Sequence, residues 1–264
     1  MKSNTHLRTL LCVMALGAAS LGASAEGTLT VGISTGYPPF DILNADGSVG
    51  GFDVEIAKAI CEDQKKTCKF VQIEFDGIIP GLQSKKYDTI IASMGITDER
   101  QRQVSFTDKY YYSPSAMIGP KNAPFKADEK STAGKALAVE RGSAHECYVK
   151  KHFKNAKLRQ YPASDEAYLD LLAGRVDAVI VDTIPGQEWI RAEPSRKDKF
   201  TTIDPDLKDT ECFGSGDVGI AVRKNDNKLR EELNASIRAI RKSGAYQKIS
   251  NSYFGRDIFG ADLK

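Results

Sequence analysis

The chain has 264 residues, with 37 Lys and Arg against 35 Asp and Glu. That near-balance argues against nucleic acid as a partner, which would favour a basic stripe. The length suits one large domain or two smaller ones.

Residues 1–25 read as a secretory signal. Lys2 and Arg8 form a positive start, an apolar run follows over 10–21, and Ala23-Ser24-Ala25 is a small-x-small cleavage pattern. The run is too short for a membrane span. Cys12 stands near its start, not after it where a lipid-anchored cysteine would be. The mature chain is expected to start near Glu26. Without Lys2 and Arg8 its basic residues fall from 37 to 35 and equal the acidic ones.

Leu29-Thr-Val-Gly-Ile33 alternates as a first strand. Gly36-Tyr-Pro-Pro-Phe40 makes a loop and Asn44-Ala-Asp-Gly-Ser48 a turn. Asp53 then opens a helix through Cys61, with Val54, Ala57 and Ile60 at near-helical spacing and Asp53 and Glu55 in its first turn. Phe70-Val-Gln-Ile73 is a second strand, and a short helix starts at 77–82. Residues 87–92 form a buried strand that runs into Ser93-Met-Gly95 and then Thr97-Asp-Glu-Arg100. Small residues admit a ligand to backbone N–H groups, and an arginine can grip a carboxylate with two parallel hydrogen bonds. An ordinary strand-to-loop turn with a surface arginine reads the same segment equally well.

The pattern then restarts. The loop over 122–134 is polar and reads as surface. A strand over 136–139 leads through Glu140-Arg-Gly-Ser143 to a helix ending near Phe153. A strand over 158–161, a helix over 164–173 capped by Ser164, and a buried strand over 177–181 ending at Asp182 follow. Residues 218–222 are another strand, and 229–242 and 246–253 are helical. Strands alternating with helices argue for a mainly parallel α/β sheet. Two such units suggest two lobes with a ligand cleft between them.

Four cysteines remain beyond the signal. In an oxidising compartment pairing is the default. Cys61 and Cys68 are close enough to staple a helix end to the next strand, and Cys147 with Cys212 follows only as the remainder. No CxxC pair or histidine cluster supports zinc, and no cofactor is indicated.

Taken in order, Tyr37-Pro-Pro-Phe40, Gly51-Phe-Asp-Val-Glu55, Phe75-Asp-Gly-Ile-Ile-Pro80, the run from Ser93 to Arg100, Phe106-Thr-Asp108, Ala173-Gly-Arg-Val-Asp177 and Val218-Gly-Ile220 are diagnostic. The chain resembles the periplasmic solute-binding proteins of polar amino acid ABC importers, within the lysine/arginine/ornithine- and histidine-binding branch. Each motif is weak alone, but their order extends over nearly the whole mature chain. The resemblance implies an α/β fold, the two-lobe periplasmic binding protein fold with a hinge of two crossing strands. The first lobe is then discontinuous, 27–112 and 216–264, and the second is 113–215. It also implies a periplasmic monomer that hands an amino acid to an inner-membrane ABC permease complex.

By the same resemblance, Arg100 grips the ligand α-carboxylate. Ser93 and the Thr97 region add donors, and so do the N–H groups at Ser143 and Ala144, where a helix N-terminus favours anions. Asp182 takes the α-ammonium, against the alternative of a plain helix N-cap. Tyr37 and Phe75 sandwich the side chain, and His145 aligns near the pocket. Relatives that bind basic amino acids carry an acid where this chain has Ser34. Glu140 stands where an apolar residue is common, so the carboxylate for a distal cation is expected from the other lobe, or else Glu140 is a solvated partner of Arg141. Ala92 and Gly95 replace common hydroxyls, and Gly95 leaves room for an opine or another N-substituted amino acid. An enzyme on the same fold, as in periplasmic dehydratases, is the rival of another class, with Glu140 and His145 as acid and base. No Ser-His-Asp set, reactive cysteine or metal cluster is apparent to support it.

Overall fold

The computed structural model describes residues 27–260; the expected signal segment lies outside them. The first strand, β1 (Thr28–Ile33), is followed by a two-stranded hairpin, β2 (Ile42–Leu43) and β3 (Val49–Gly50), and by α1 (Phe52–Asp63). Next come β4 (Thr67–Gln72), a single 3-10 turn at Phe75–Gly77, α2 (Ile78–Gln83), β5 (Thr89–Ile90), α3 (Asp98–Gln103) and β6 (Val104–Tyr112). The order β4-β1-β5-β12-β6 makes a five-stranded sheet once β12 (Asp217–Arg223) returns from late in the chain.

The second sheet has the order β11-β7-β10-β8-β9. Its elements are β7 (Ser115–Pro120), α4 (Glu129–Thr132), β8 (Ala136–Glu140), α5 (Ala144–His152), β9 (Lys157–Tyr161), α6 (Ser164–Leu172), β10 (Ala178–Asp182), α7 (Thr183–Arg191), α8 (Pro194–Lys199), β11 (Phe200–Leu207) and α9 (Thr210–Phe213). The chain closes with α10 (Asn227–Lys242) and α11 (Ala245–Phe254). It passes between the sheets twice, from Tyr112 to Ser115 and from Leu207 to Asp217. Two segments between two packed units give a hinge without a third rigid link.

Both sheets are mixed rather than mainly parallel. β4, β1 and β5 run parallel, but β12 is antiparallel to β5 and to β6. Likewise β9, β8 and β10 are parallel, and β7 is antiparallel to β10 and to β11. The antiparallel strand in each sheet adjoins a crossing segment. A helical crossover would force parallel pairing; a direct crossing does not.

Three local expectations change. The strand expected over 87–92 keeps its ladder only at Thr89–Ile90, because Ser93 has φ 50° and turns the chain away. Ser164 is not the cap of α6: Ala163 holds that position, and the Ser164 hydroxyl points elsewhere. The 122–134 loop is not all surface, since Phe125 is buried and Asp128 caps α4 through Ser131 N.

Helix α10 packs in the first-lobe core with Leu233, Ile237 and Ile240 buried on one face. That spacing, i, i+4, i+7, is the apolar stripe of a surface helix. Phe52, Ile56 and Ile60 do the same for α1. Both cysteine pairs are joined. Cys61–Cys68 ties the last turn of α1 to β4, and Cys147–Cys212 ties α5 to α9, which lies on the second crossing segment. Loop-closure entropy assigns about 2 kcal/mol to the first and about 4 kcal/mol to the second, since they span 7 and 65 residues. Replacing Cys147 and Cys212 by Ser is therefore expected to lower unfolding stability more than replacing Cys61 and Cys68. Denaturant titration of the two double variants checks this, and equal losses would contradict it.

Candidate functional site

The C-terminal ends of β1, β4, β5, β8 and β10 converge on one cavity of about 430 Å³ between the lobes. Strand ends of this kind are the usual ligand crevice of α/β sheets. Ser34, Tyr37, Phe75, Ser93, Gly95 and Arg100 reach it from the first lobe; Glu140, Ser143, Ala144, His145 and Asp182 reach it from the second. All eleven residues singled out from the sequence line this cavity. Asp41, Ser115 and the second crossing segment line it too, and sequence reasoning did not single them out. Asp41 directly follows a matched motif, which was the available signal; Ser115 carried none.

The lobes touch across the cleft. Gly36 O accepts from Asp165 N at 2.9 Å, and the Tyr37 hydroxyl donates to Asp182 Oδ2 at 2.7 Å. Arg141 pairs with Asp76 at 3.4 Å and Glu74 at 3.7 Å, not with Glu140. Two glycines make the approach possible. A Cβ on Gly36 (φ 93°) would lie 2.5 Å from Ala163 Cβ, and one on Gly142 (φ 73°) would lie 2.9 Å from Asp76 Cα. Both have φ in the left-handed region that only glycine adopts freely.

Arg100 is set by α3, whose cap Thr97 accepts from Arg100 N at 3.3 Å. Its guanidinium donates to Gly95 O at 3.0 Å and, across the cleft, to Gly142 O at 3.4 Å. It lies 5.2 Å from the centre of the Phe75 ring. The residue is only 9 % exposed, and among the described residues it has no carboxylate within ion-pair distance. Burial pulls the guanidinium below its ordinary pKa, while Asp182, Glu99 and Glu140 act against that shift. The start of α5 adjoins it. There Ser143 caps the helix by accepting from Glu146 N, and the Glu146 carboxylate takes Gly142 N. The N–H groups of the first turn, at Ala144 and His145, have no helical acceptors and present partial positive charge.

Ser93 lines the cavity, but the donors expected from it for a ligand are taken by Asp53. Its N–H and hydroxyl both donate to Asp53 Oδ2, at 2.6 and 2.9 Å, and Tyr110 donates to the other oxygen at 2.9 Å. Asp53 thus points inward from the first turn of α1 and holds the strained Ser93 backbone. Asp41 is 1 % exposed, and among the described residues neither of its carboxylate oxygens has a hydrogen-bond donor. Burial, with Asp53 beside it, pushes its pKa well above the carboxylate range.

Asp182 occupies the cap position of α7 but makes no capping bond. Its oxygens instead face Tyr37 and His145 Nε2, the latter at 3.2 Å. The same Nε2 lies 3.2 Å from Ser115 Oγ. The fold therefore does assemble a Ser-His-Asp trio that the sequence did not reveal. It is not a proton relay, because a relay uses both ring nitrogens and here serine and aspartate share one. Glu140 ends β8, is 8 % exposed, and accepts from Ser164 Oγ at 3.0 Å. Burial pushes its carboxyl up to about 8; Asp182 and Asp165 add to the rise, while Ser164 and Arg100 oppose it. Among the described residues no group of three or more His, Cys, Asp or Glu side chains is placed to hold a metal ion.

Comparison with known proteins agrees with this architecture. The L-arginine-binding protein of Pseudomonas aeruginosa is 40 % identical over 256 residues, covering 96 % of this chain and 98 % of its own. The histidine-binding periplasmic protein of Escherichia coli is 35 % identical over 255 residues, 96 % of this chain and 97 % of its own. The solved structure of an ancestral arginine-binding protein bound to arginine superposes with a TM-score of 0.79. It is 34 % identical and covers 87 % of this chain and 99 % of that one. The model of the bacterial extracellular solute-binding proteins, family 3, matches residues 29–256, and the chain belongs to that family.

Proposed function

We propose that this protein is the extracytoplasmic binding component of an ABC importer for a basic amino acid: arginine, lysine, ornithine or histidine. The observation that carries this reading is the buried Arg100 guanidinium, which finds no carboxylate in ion-pair reach among the described residues. Desolvating an unpaired charge is costly, so the cleft is built to close on an anionic group. A ligand α-carboxylate meets that need, held by Arg100 and by the first-turn N–H groups of α5. Asp182 then takes the α-ammonium, and Tyr37 and Phe75 flank the side chain. The cavity is lined by five acids, Asp41, Glu140, Asp182, Asp206 and Asp209, against the two cations Arg100 and Lys208, so a second positive charge on the ligand suits it. Arginine and histidine in the names of relatives support the same choice.

In this reading the first lobe is 27–112 with 216–264 and the second is 113–215. They rock about the two crossings, and an inner-membrane ABC permease complex recognises the closed form. The protein works as a periplasmic monomer. A second reading, an opine or similar N-substituted amino acid, has Gly95 in its favour. A Cβ there would meet only Arg100 Nη1, at 3.7 Å. The carboxylate of Asp182 favours a free ammonium, so the first reading stands. A thermal-shift screen of amino acids, polyamines and opines separates them, because a bound ligand raises apparent stability. Shifts confined to neutral or acidic amino acids would sink the basic-ligand reading.

Arg100→Ala is expected to weaken binding by about 100-fold or more, from the loss of a buried charge-assisted grip. The ligand-free melting temperature should hold or rise, since an unpaired buried cation has been removed. Unchanged affinity by calorimetry would overturn the clamp. Gly142→Ala adds about 1–2 kcal/mol of left-handed strain and a clash with Asp76 that only closure creates. Its affinity should fall about tenfold, with a smaller ligand-induced contraction in small-angle scattering than in wild type.

A further inference from the structure

Glu140 is a buried carboxylate whose one hydrogen bond among the described residues comes from a neutral hydroxyl, Ser164. The groups that face it are Asp182 at the end of β10, Asp165 and Tyr168 on α6, Asp41 from the first-lobe loop, and Arg100 on α3. The three aspartates are acidic, and Tyr168 is a neutral phenol whose pKa burial raises further. Arg100 is beyond ion-pair distance and donates to two backbone carbonyls. Ser34, the first-lobe residue at this cavity where a charge is expected by resemblance, is neutral.

The position of Ser164 matters as much as its chemistry. It opens α6, between Ala163 and Asp165, and these two residues are where the Gly36 loop of the first lobe seats: Asp165 N donates to Gly36 O, and Gly36 lies against Ala163. The contact that closes the lobes is thus the contact that seals the Glu140 environment. Parting the lobes would let water reach Glu140, and a solvated carboxylate has weak pairing preferences. With them together, it must have a cation or a proton, because a buried charge without either is heavily penalised.

We propose that Glu140 receives the side-chain cation of the ligand from the second lobe, and that seating of the Gly36 loop on the start of α6 makes this pairing a condition of closure. Discrimination against neutral side chains is then made at the closing step, through an unpaired acid rather than through a steric clash. This rests on the basic-ligand reading above and deepens it.

A pH dependence follows from the geometry. Citrulline has the shape of arginine with a neutral urea head. Closing on citrulline forces Glu140 to take up a proton, because its carboxyl rises from the ordinary range to about 8. Citrulline binding is therefore strongest at low pH and is lost as pH rises toward about 8, by up to about tenfold per pH unit. Arginine keeps Glu140 ionised and needs no proton there. Asp41 and Asp165, which burial also raises, face the same ligands, so the share of the arginine-to-citrulline affinity ratio that Glu140→Gln removes is the share set by Glu140.

Calorimetry of the mature protein with both ligands at pH 6, 7 and 8 tests this. The wild-type ratio is expected to grow with pH. In Glu140→Gln it should drop at least tenfold and become flat with pH. A Glu140→Gln protein that melts like wild type and keeps its arginine preference would overturn the assignment. So would a pH-independent wild-type ratio, which needs no variant. Wild-type protein that binds neither arginine nor another basic amino acid would instead sink the reading on which this one rests.

Discussion

A guanidinium withdrawn from water between two lobes, with backbone carbonyls as its side-chain hydrogen-bond acceptors among the described residues, is the constraint on which the site depends. Arg100 donates to Gly95 O in its own lobe and to Gly142 O in the other. Neutral carbonyls satisfy its hydrogen bonds but not its charge. In the reading proposed above, the cavity asks for an anion beside Arg100 and for cations beside Asp182 and Glu140, the last of which a proton also satisfies. A zwitterion with a further positive charge answers all three.

That demand is effective only because the lobes can meet closely. The glycines at 36 and 142 let backbone approach backbone from opposite sides of the cleft. The Tyr37–Asp182 bond spans it in the interior. The Arg141 pairs with Asp76 and Glu74 lie nearer solvent, where such pairs are worth little. The buried contacts that join the lobes thus surround the cavity, and the more exposed ion pairs lie outside them. Behind the site, Asp53 holds Ser93 at φ 50° through both of its donors. That bend turns the chain after β5 so that Gly95 and Arg100 face the cleft.

Much of this was legible before any coordinates. The apolar spacing of α1 and α10, the strand-loop-helix alternation and the ordered motifs pointed to two α/β lobes, and all eleven chosen residues line one cavity. What escaped reading has specific causes. β6 carries Ser105, Thr107, Asp108 and Lys109 among its nine residues, and its pairing with β12 contains register shifts. Its burial does not alternate, so no period of two marks it. β7, buried over most of its length, offers no alternation either. Ser164 and Asp53 sit at helix starts, where such residues are normally caps or dipole partners. Nothing local says that one turns to Glu140 and the other to Ser93.

The sequence by itself determined most of the local elements, the family and the inventory of charges, because hydrophobic period, turn residues and motif order are properties of neighbouring residues. It also determined that an acid was missing at Ser34 and present at Glu140. Only the tertiary structure decided which partners those charges have. It placed Glu140 with Ser164 rather than Arg141, left Arg100 without a carboxylate in ion-pair reach among the described residues, and brought Ser115, His145 and Asp182 together on one ring nitrogen. Burial and pairing depend on chain segments far apart in sequence, and their free energies exist only once the two lobes stand face to face.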